Sequence, residues 1–281
     1  MLNPEGYVGR SEFELLVITT AIMALVLVPV IIGTLWIAWR YRSSAGRADY
    51  DPDFTDSKLI SGVTIFVPLI TIAALGTMTW IYTHRLDPYR PLGTTERPYE
   101  IQAVSLDYKW LFIYPEAGIA TVNQLVAPSG QPVTIRLTSD PMMTSIFIPG
   151  LISQIYAMPG METRANFLAE NPEQRDGANA MYSGPGFENQ RFVTHILAPE
   201  DFAAWTKGAA EGKSLEGAEA AKVEERLDMA YYKKLVVRSD GDPITYFKSV
   251  SPDLFQDIVR LYMPQYHMSS LPTGAEYMGA N

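Results

Sequence analysis

The sequence predicts a membrane-anchored α+β protein in which a two-helix transmembrane hairpin precedes a β-sandwich and a C-terminal helical arm. Three observations carry this expectation. Two blocks, Leu15 to Trp39 and Leu59 to Thr83, contain no charged residue. From Tyr99 to about Ala198, short runs of β-forming residues recur between Gly/Pro turns, and after Pro199 the texture turns helical.

At about 1.5 Å of rise per residue, either charge-free block exceeds the roughly 30 Å hydrocarbon core of a bilayer. A buried core helix is the other reading of such a block, but few run this far without a charge. Trp36, Trp39 and Tyr41 close the first block beside Arg40 and Arg42. Trp80 and Tyr82 close the second beside His84 and Arg85. Such groups form the aromatic belt and snorkelling cations of a membrane interface. Pro29 and Pro68 fall inside the spans, where neighbouring helices satisfy the carbonyls that proline frees. The first span reads as retained rather than as a signal peptide, because Glu12 and Glu14 precede it and no small-residue cleavage site follows. Two spans place lead 1–14 and everything after Thr83 on one side, with loop 40–58 on the other. Lys/Arg counts on the two sides tie, and Arg40 and Arg42 directly against the span lean towards a cytoplasmic loop.

Residues 84–98 read as an extended, proline-punctuated linker. Within 99–198 the expected strands are YEIQAVS, YKWLFIY, IATVNQLV, PVTIRLTS, MTSIFI, LISQIYA, ETRANFLA and QRFVTHIL. In PVTIRLTS, Val133, Ile135 and Leu137 alternate with Thr134, Arg136 and Thr138, the period of a half-buried strand. Such a series predicts a two-sheet sandwich or Greek-key barrel. Over 199–263 helices are expected at Asp201 to Trp205, around Leu215 to Lys234, and from Ser251 to Tyr262, with Ser251 as N-cap and Pro252 at the first helical position. Residues 264–281 read as a loose tail.

The chain has 281 residues, a formal net charge of −9 and no cysteine. The acidic excess lies mainly after His84, so nucleic acid is not an expected partner. Lack of cysteine excludes disulfides, thiolate metal sites and haem attachment through thioethers. His84, His195 and His267 are scattered over a membrane edge, a strand and the tail, and no imidazole neighbours Ser183 to activate it. Met142, Met143, Met158, Met161 and Met181 offer soft sulfur to cuprous ions, although methionine more often fills core space.

The stretches YKWLFIYPEAGIATVNQLVAPSGQPV, FIPGLISQIYAMPGMETR and MYSGPGF, behind a two-span hairpin, resemble subunit II of the haem–copper terminal oxidases, and most closely its bo-type ubiquinol oxidase branch. The resemblance runs from Pro4 to about Met263 and implies a cupredoxin-like Greek-key domain over 99–198. In the cytochrome c oxidase branch that domain holds two coppers through cysteine, histidine, glutamate and methionine. Laid onto this chain, those ligand positions are Thr144, Asn179, Met181, Ser183, Phe187 and Gln190. Every cysteine and histidine is replaced, so the resemblance implies a domain without copper and a chain with no catalytic or cofactor-binding residue. Gly184, Pro185 and Gly186 still shape the loop. Tyr108 stands where copper-bearing relatives have the tryptophan that accepts electrons from cytochrome c. With Trp110 it is either part of a docking surface for the catalytic subunit or part of a strand packed under the sandwich. Ser61 stands where some quinol-oxidase relatives carry a glutamate at a proton channel, and is a further subunit-interface candidate. Bacterial relatives begin with a cleaved signal and a lipidated cysteine, which this sequence lacks.

By resemblance, the chain is a non-redox subunit II of a proton-pumping ubiquinol:oxygen oxidoreductase in a bacterial plasma membrane, with its large domain periplasmic. Implied partners are subunit I, holding two haems and one copper, the smaller subunits III and IV, and the lipid bilayer. Ubiquinol is the implied substrate of the complex, and cytochrome c is not an expected partner. Two alternatives remain at this stage: a cytochrome c oxidase subunit II with an unusual metal centre, and a membrane-tethered β-sandwich serving as a binding or assembly module outside any oxidase.

Overall fold

The computed structural model describes residues 4, 6–42, 57–87, 97–215, 222–239 and 241–263. Expectations for most of the polar loop, most of the linker and the C-terminal tail lie outside these residues.

Helices α1 (Gly6–Arg40) and α2 (Lys58–Arg85) contain the two apolar blocks, and both outrun them because the polar flanks continue the helix. The lead expected over 1–14 is therefore helical from Gly6 onward. Pro29 and Pro68 sit within the helices without ending them. None of the most apolar stretch of either helix is buried within the chain, and Leu25 and Leu59 are 76% and 75% exposed. Such a surface is stable only under lipid or partner helices, and the protein is accordingly membrane-anchored. At the far end of the hairpin the Arg42 guanidinium lies 5.4 Å over the Trp39 ring, a cation–π contact at interfacial depth.

The start of α1 docks on the β-domain through two buried glycines. A Cβ on Gly6 would stand 2.2 Å from the Leu168 carbonyl oxygen, and one on Gly9 would stand 2.2 Å from that of Gly150. Only hydrogen fits at either place, and the Arg10–Glu170 ion pair flanks the contact. Gly9→Ala is therefore expected to wedge α1 away from the domain at a cost of about 1–3 kcal/mol, the usual range for overpacking. Faster limited proteolysis between hairpin and domain, relative to the parent chain, would report that opening.

Ten strands build the sandwich: β1 (Tyr99–Leu106), β2 (Lys109–Tyr114), β3 (Ile119–Val122), β4 (Gln124–Pro128), β5 (Val133–Ser139), β6 (Thr144–Ile148), β7 (Ile152–Ala157), β8 (Thr163–Phe167), β9 (Glu173–Asn179) and β10 (Arg191–Leu197). After them come α3 (Pro199–Ala210), β11 (Lys222–Leu227), α4 (Met229–Leu235), β12 (Thr245–Val250) and α5 (Leu254–Arg260). One sheet runs β11-β12-β3-β2-β1-β5-β8 and the other β4-β10-β9-β6-β7. The pairs β1–β5, β4–β10 and β11–β12 are parallel and the rest antiparallel.

The unbroken apolar run KWLFIY follows from burial on both faces. Along β2, Trp110, Phe112 and Tyr114 point into the core between the sheets. Leu111 and Ile113 point the other way, into a second core with Phe247, Leu254, Phe255 and Ile258 of the arm. A strand covered on both faces loses the polar alternation of a solvated one.

Three expectations are corrected. IATVNQLV is two strands, because Asn123 adopts φ 58° and turns the chain from one sheet to the other. Asparagine tolerates that left-handed region better than most residues, and here its Oδ1 accepts from the Trp110 N–H at 2.9 Å while its Nδ2 donates to the Asp242 carbonyl at 3.0 Å. EQRDGAN, not expected as a strand, is β9, paired on both sides by β6 and β10. The arm is not wholly helical: KVEERL forms β11, and β12 pairs antiparallel with β3, so the arm extends the first sheet before α4 and α5 cover its outer face. Within it Asp228 caps α4, accepting from the Tyr231 N–H at 2.8 Å, and α5 starts at Leu254 rather than Pro252. The expected helix at Asp201 to Trp205 lies in α3, whose Phe202 and Trp205 meet Tyr99 and Tyr114 edge to face at 5.0 and 5.1 Å.

Candidate functional site at one end of the sandwich

The turn between β1 and β2, the β5–β6 connection and the loop from β9 to β10 enclose one end of the sandwich, and they bring Asn179, Ser183 and Gln190 together. Asn179 ends β9 opposite Ile146 of β6. Its Oδ1 accepts from the backbone N–H groups of Ser145 (3.1 Å) and Met181 (3.0 Å). Its Nδ2 donates to Ser183 Oγ and to Gln190 Oε1, each at 3.0 Å. The whole hydrogen-bonding capacity of that amide is thereby used. Gln190, 1% exposed, donates from Nε2 to Ser105 Oγ (2.7 Å), the Leu106 carbonyl (3.0 Å) and the Lys109 carbonyl (3.3 Å). Two amides thus stitch β9 and its loop to β1, β2 and β6.

Met181 and Ser183 belong to this network, and Thr144 adjoins it through Ser145. Thr144 is buried, and its hydroxyl has no hydrogen-bond partner among the described residues. Phe187 stands apart: it opens a short 3-10 turn and packs edge to face on exposed Tyr182 at 5.2 Å. The donors gathered here are amides and hydroxyls, hard and neutral groups whose lone pairs and protons are mostly committed to one another. Such a set is ill-suited to copper, which favours thiolate and imidazole. Among the described residues no three His, Cys, Asp or Glu side chains cluster.

Tyr108 and Trp110 are both buried within the chain. Trp110 is fully buried against Phe112 and Phe192. Tyr108 is 5% exposed and holds φ 62° in the β1–β2 turn. Its hydroxyl donates to the Pro185 carbonyl at 2.7 Å. Arg238 of the arm lies 4.6 Å over its ring and donates to the same carbonyl at 3.1 Å. The arm therefore roofs the position. Ser61 lies in the first turn of α2, far along the hairpin from this end.

Two buried polar clamps that sequence reasoning missed tie the arm to the sandwich. Lys109, the one cation on an apolar strand, was the available signal. Its Nζ meets Asp242 Oδ2 at 2.9 Å and the Val237 carbonyl at 3.0 Å, and also bonds Ser239. Burial pushes the Asp242 carboxyl upward, but the Ser239 hydroxyl and the Lys109 ammonium outweigh it and hold the group below the usual carboxylate range. The second clamp is Asp140, which accepts from Tyr232 OH at 2.7 Å and from Tyr262 OH. Burial, then the Asp140 hydrogen bond, raises both phenols, Tyr262 to about 12.

A subunit 2 of cytochrome bo(3) ubiquinol oxidase from Pseudomonas putida is 44% identical over 262 residues, spanning 93% of this chain and 80% of the relative. The chain belongs to the ubiquinol oxidase subunit 2 family. The Pseudomonas aeruginosa member is 45% identical, over 93% of this chain and 76% of its own. A family model described as COX Aromatic Rich Motif matches residues 222–265. Here that segment begins at β11 and supplies Tyr231, Tyr232, Phe247 and Phe255 to the second core. Among solved structures, the periplasmic domain of a cytochrome oxidase subunit II from Bradyrhizobium japonicum is similar at TM-score 0.40 and 17% identity, over 43% of this chain and 100% of that one.

Proposed function

We propose that this chain is the non-redox subunit II of a proton-pumping ubiquinol:oxygen oxidoreductase in a bacterial plasma membrane, with the sandwich on the periplasmic side. The observation that carries the reading is the pair of interlocked amides, Asn179 and Gln190, at two positions where the copper-bearing branch places metal ligands. In place of a metal, hydrogen-bonded amides hold the loop. Electrons from a membrane-soluble quinol reach subunit I directly, so subunit II is left to brace and cap it.

The hairpin supports this role, since its uncovered apolar faces fit subunit I and the smaller subunits III and IV as well as lipid. The Arg238 roof over Tyr108 supports the absence of a docking site for cytochrome c. The haems and the copper belong, on this reading, to subunit I, and Ser61 on α2 is a candidate contact with it. Affinity purification of the full-length chain from native membranes tests the proposal. It is expected to bring down a haem-containing complex that oxidises ubiquinol with oxygen, whereas a partnerless chain without haem would contradict it.

A further inference from the structure

Where the arm meets the sandwich, a cavity of about 460 Å³ opens between the end of α4 and the starts of β2, β11 and β12. Its lining divides by chemistry. Lys109, Lys222, Lys234 and Arg238 bring four cations, against Asp242 as the one lining carboxylate among the described residues. Leu235, Val237 and Pro243 bring apolar surface, and Val237 is 63% exposed although it is aliphatic. Apolar walls with a few placed charges, at this volume, are what small-molecule sites present.

The pairing of these charges narrows the occupant. Lys109 meets Asp242 at 2.9 Å and Lys222 meets Glu224 at 2.7 Å, so two of the four cations are offset within the chain. Lys234 and Arg238 meet no carboxylate among the described residues. Arg238 donates from Nη2 to the Pro185 carbonyl and lies over the Tyr108 ring, contacts that orient its plane and leave its other N–H groups uncommitted among the described residues. Two cations that share one cavity repel each other, and a single dianion between them turns that repulsion into attraction. A carboxylate carries one charge, whereas a phosphate monoester carries nearly two at neutral pH, its second pKa being about 6. The arginine fork also matches two oxygens of a phosphate. Inorganic phosphate would leave Leu235, Val237 and Pro243 facing water, and an ester with an organic body covers them.

We propose that this cavity binds a phosphate monoester, its dianion between Lys234 and Arg238 and its organic body on Leu235, Val237 and Pro243. The walls come from the arm, except for Lys109 of β2, so the occupant bridges the joint that the Lys109–Asp242 pair closes. A soluble ester and the headgroup of a phosphatidic acid offer the same chemistry. The inference does not rest on the oxidase reading.

The test is titration calorimetry of the full-length chain in a nonionic detergent, at neutral pH and constant ionic strength, with phenyl phosphate, inorganic phosphate and benzoate as probes. Wild type is expected to bind one phenyl phosphate per chain at least about tenfold more tightly than either of the others, roughly 1.4 kcal/mol. Lys234→Gln and Arg238→Gln are each expected to weaken phenyl phosphate about tenfold or more. Val237→Ser is expected to narrow its advantage over inorganic phosphate. Lys233→Gln, which removes a neighbouring lysine outside the lining, is expected to change neither. Equal binding of the three probes by wild type, absence of binding, or the same loss in Lys233→Gln as in Lys234→Gln overturns the proposal, the last because the attraction would then belong to the whole face. The wild-type comparison needs no variant, so it decides even where a substituted chain fails to fold. Dihexanoyl phosphatidic acid below its micellar concentration separates the two sources: tighter binding than phenyl phosphate supports a lipid headgroup, and weaker binding a soluble ester. Failure of the oxidase reading would instead appear as missing haem, whatever anion binds.

Discussion

Gln190→Leu is expected to destabilise the β-domain by about 3–5 kcal/mol while leaving its apolar packing volume nearly unchanged. The substitution removes three bonds at once, to Ser105 Oγ, the Leu106 carbonyl and the Lys109 carbonyl, and strips Asn179 Nδ2 of an acceptor. Each buried polar group left unpaired costs about 1–3 kcal/mol, and the bonds are coupled, so the losses do not simply add. Because leucine is more apolar than glutamine, an account based on hydrophobic burial predicts the opposite sign. Chemical denaturation of the full-length chain in detergent reads the difference. Asn179→Leu should be at least as damaging, since four bonds converge on that amide. The double variant should cost less than the sum of the two.

Lys109→Met is expected to release the arm. The lysine side chain is 3% exposed and its partner Asp242 29% exposed. Truncating one member of a buried pair costs about 3–5 kcal/mol, and the partial exposure of Asp242 places this pair at or below the lower bound. The readout is protease sensitivity of the 237–243 loop, expected to rise in Lys109→Met and to recover partly in Lys109→Met with Asp242→Leu, which removes the orphaned carboxylate. The clamp also has a pH signature. The folded-state pKa of Asp242 is depressed, so its contribution is present above the unfolded value of roughly 3.9 and is lost as pH falls through the folded value. Acid should therefore loosen the arm in the parent chain and have less effect on the double variant.

How much of this was legible in the sequence follows from which signals are local. The hairpin was, because absence of charge over a membrane's thickness has few other meanings. The run KWLFIY marked a strand but hid its two-sided burial, since the arm that covers its second face lies more than a hundred residues downstream. KVEERL reads as helix because its charges are dense. It is instead an edge strand with most of its side chains exposed, where charge guards against pairing with other chains. EQRDGAN escaped for a different reason: its charges suggest a loop, but Glu173 and Arg175 pair with each other at 2.7 Å under partial burial while the backbone is paired on both sides. The positions of Asn179, Ser183 and Gln190 were visible through resemblance, but their mutual bonding was not, because nothing local in asparagine or glutamine announces a partner across a loop. Tyr108 read as a strand aromatic, for docking or for packing, and only the fold shows it in a turn with Arg238 on top of it.

The central claim is that amides, not a metal, hold the loop between Asn179 and Gln190, so that no electron passes through this chain. The most direct test is to separate the full-length subunit from its partners, incubate it with cuprous and cupric ions, desalt it, and measure bound copper together with near-infrared absorption. The account predicts no retained copper and no near-infrared band. Stoichiometric copper with such a band, lost on replacing Asn179 and Gln190, would contradict it.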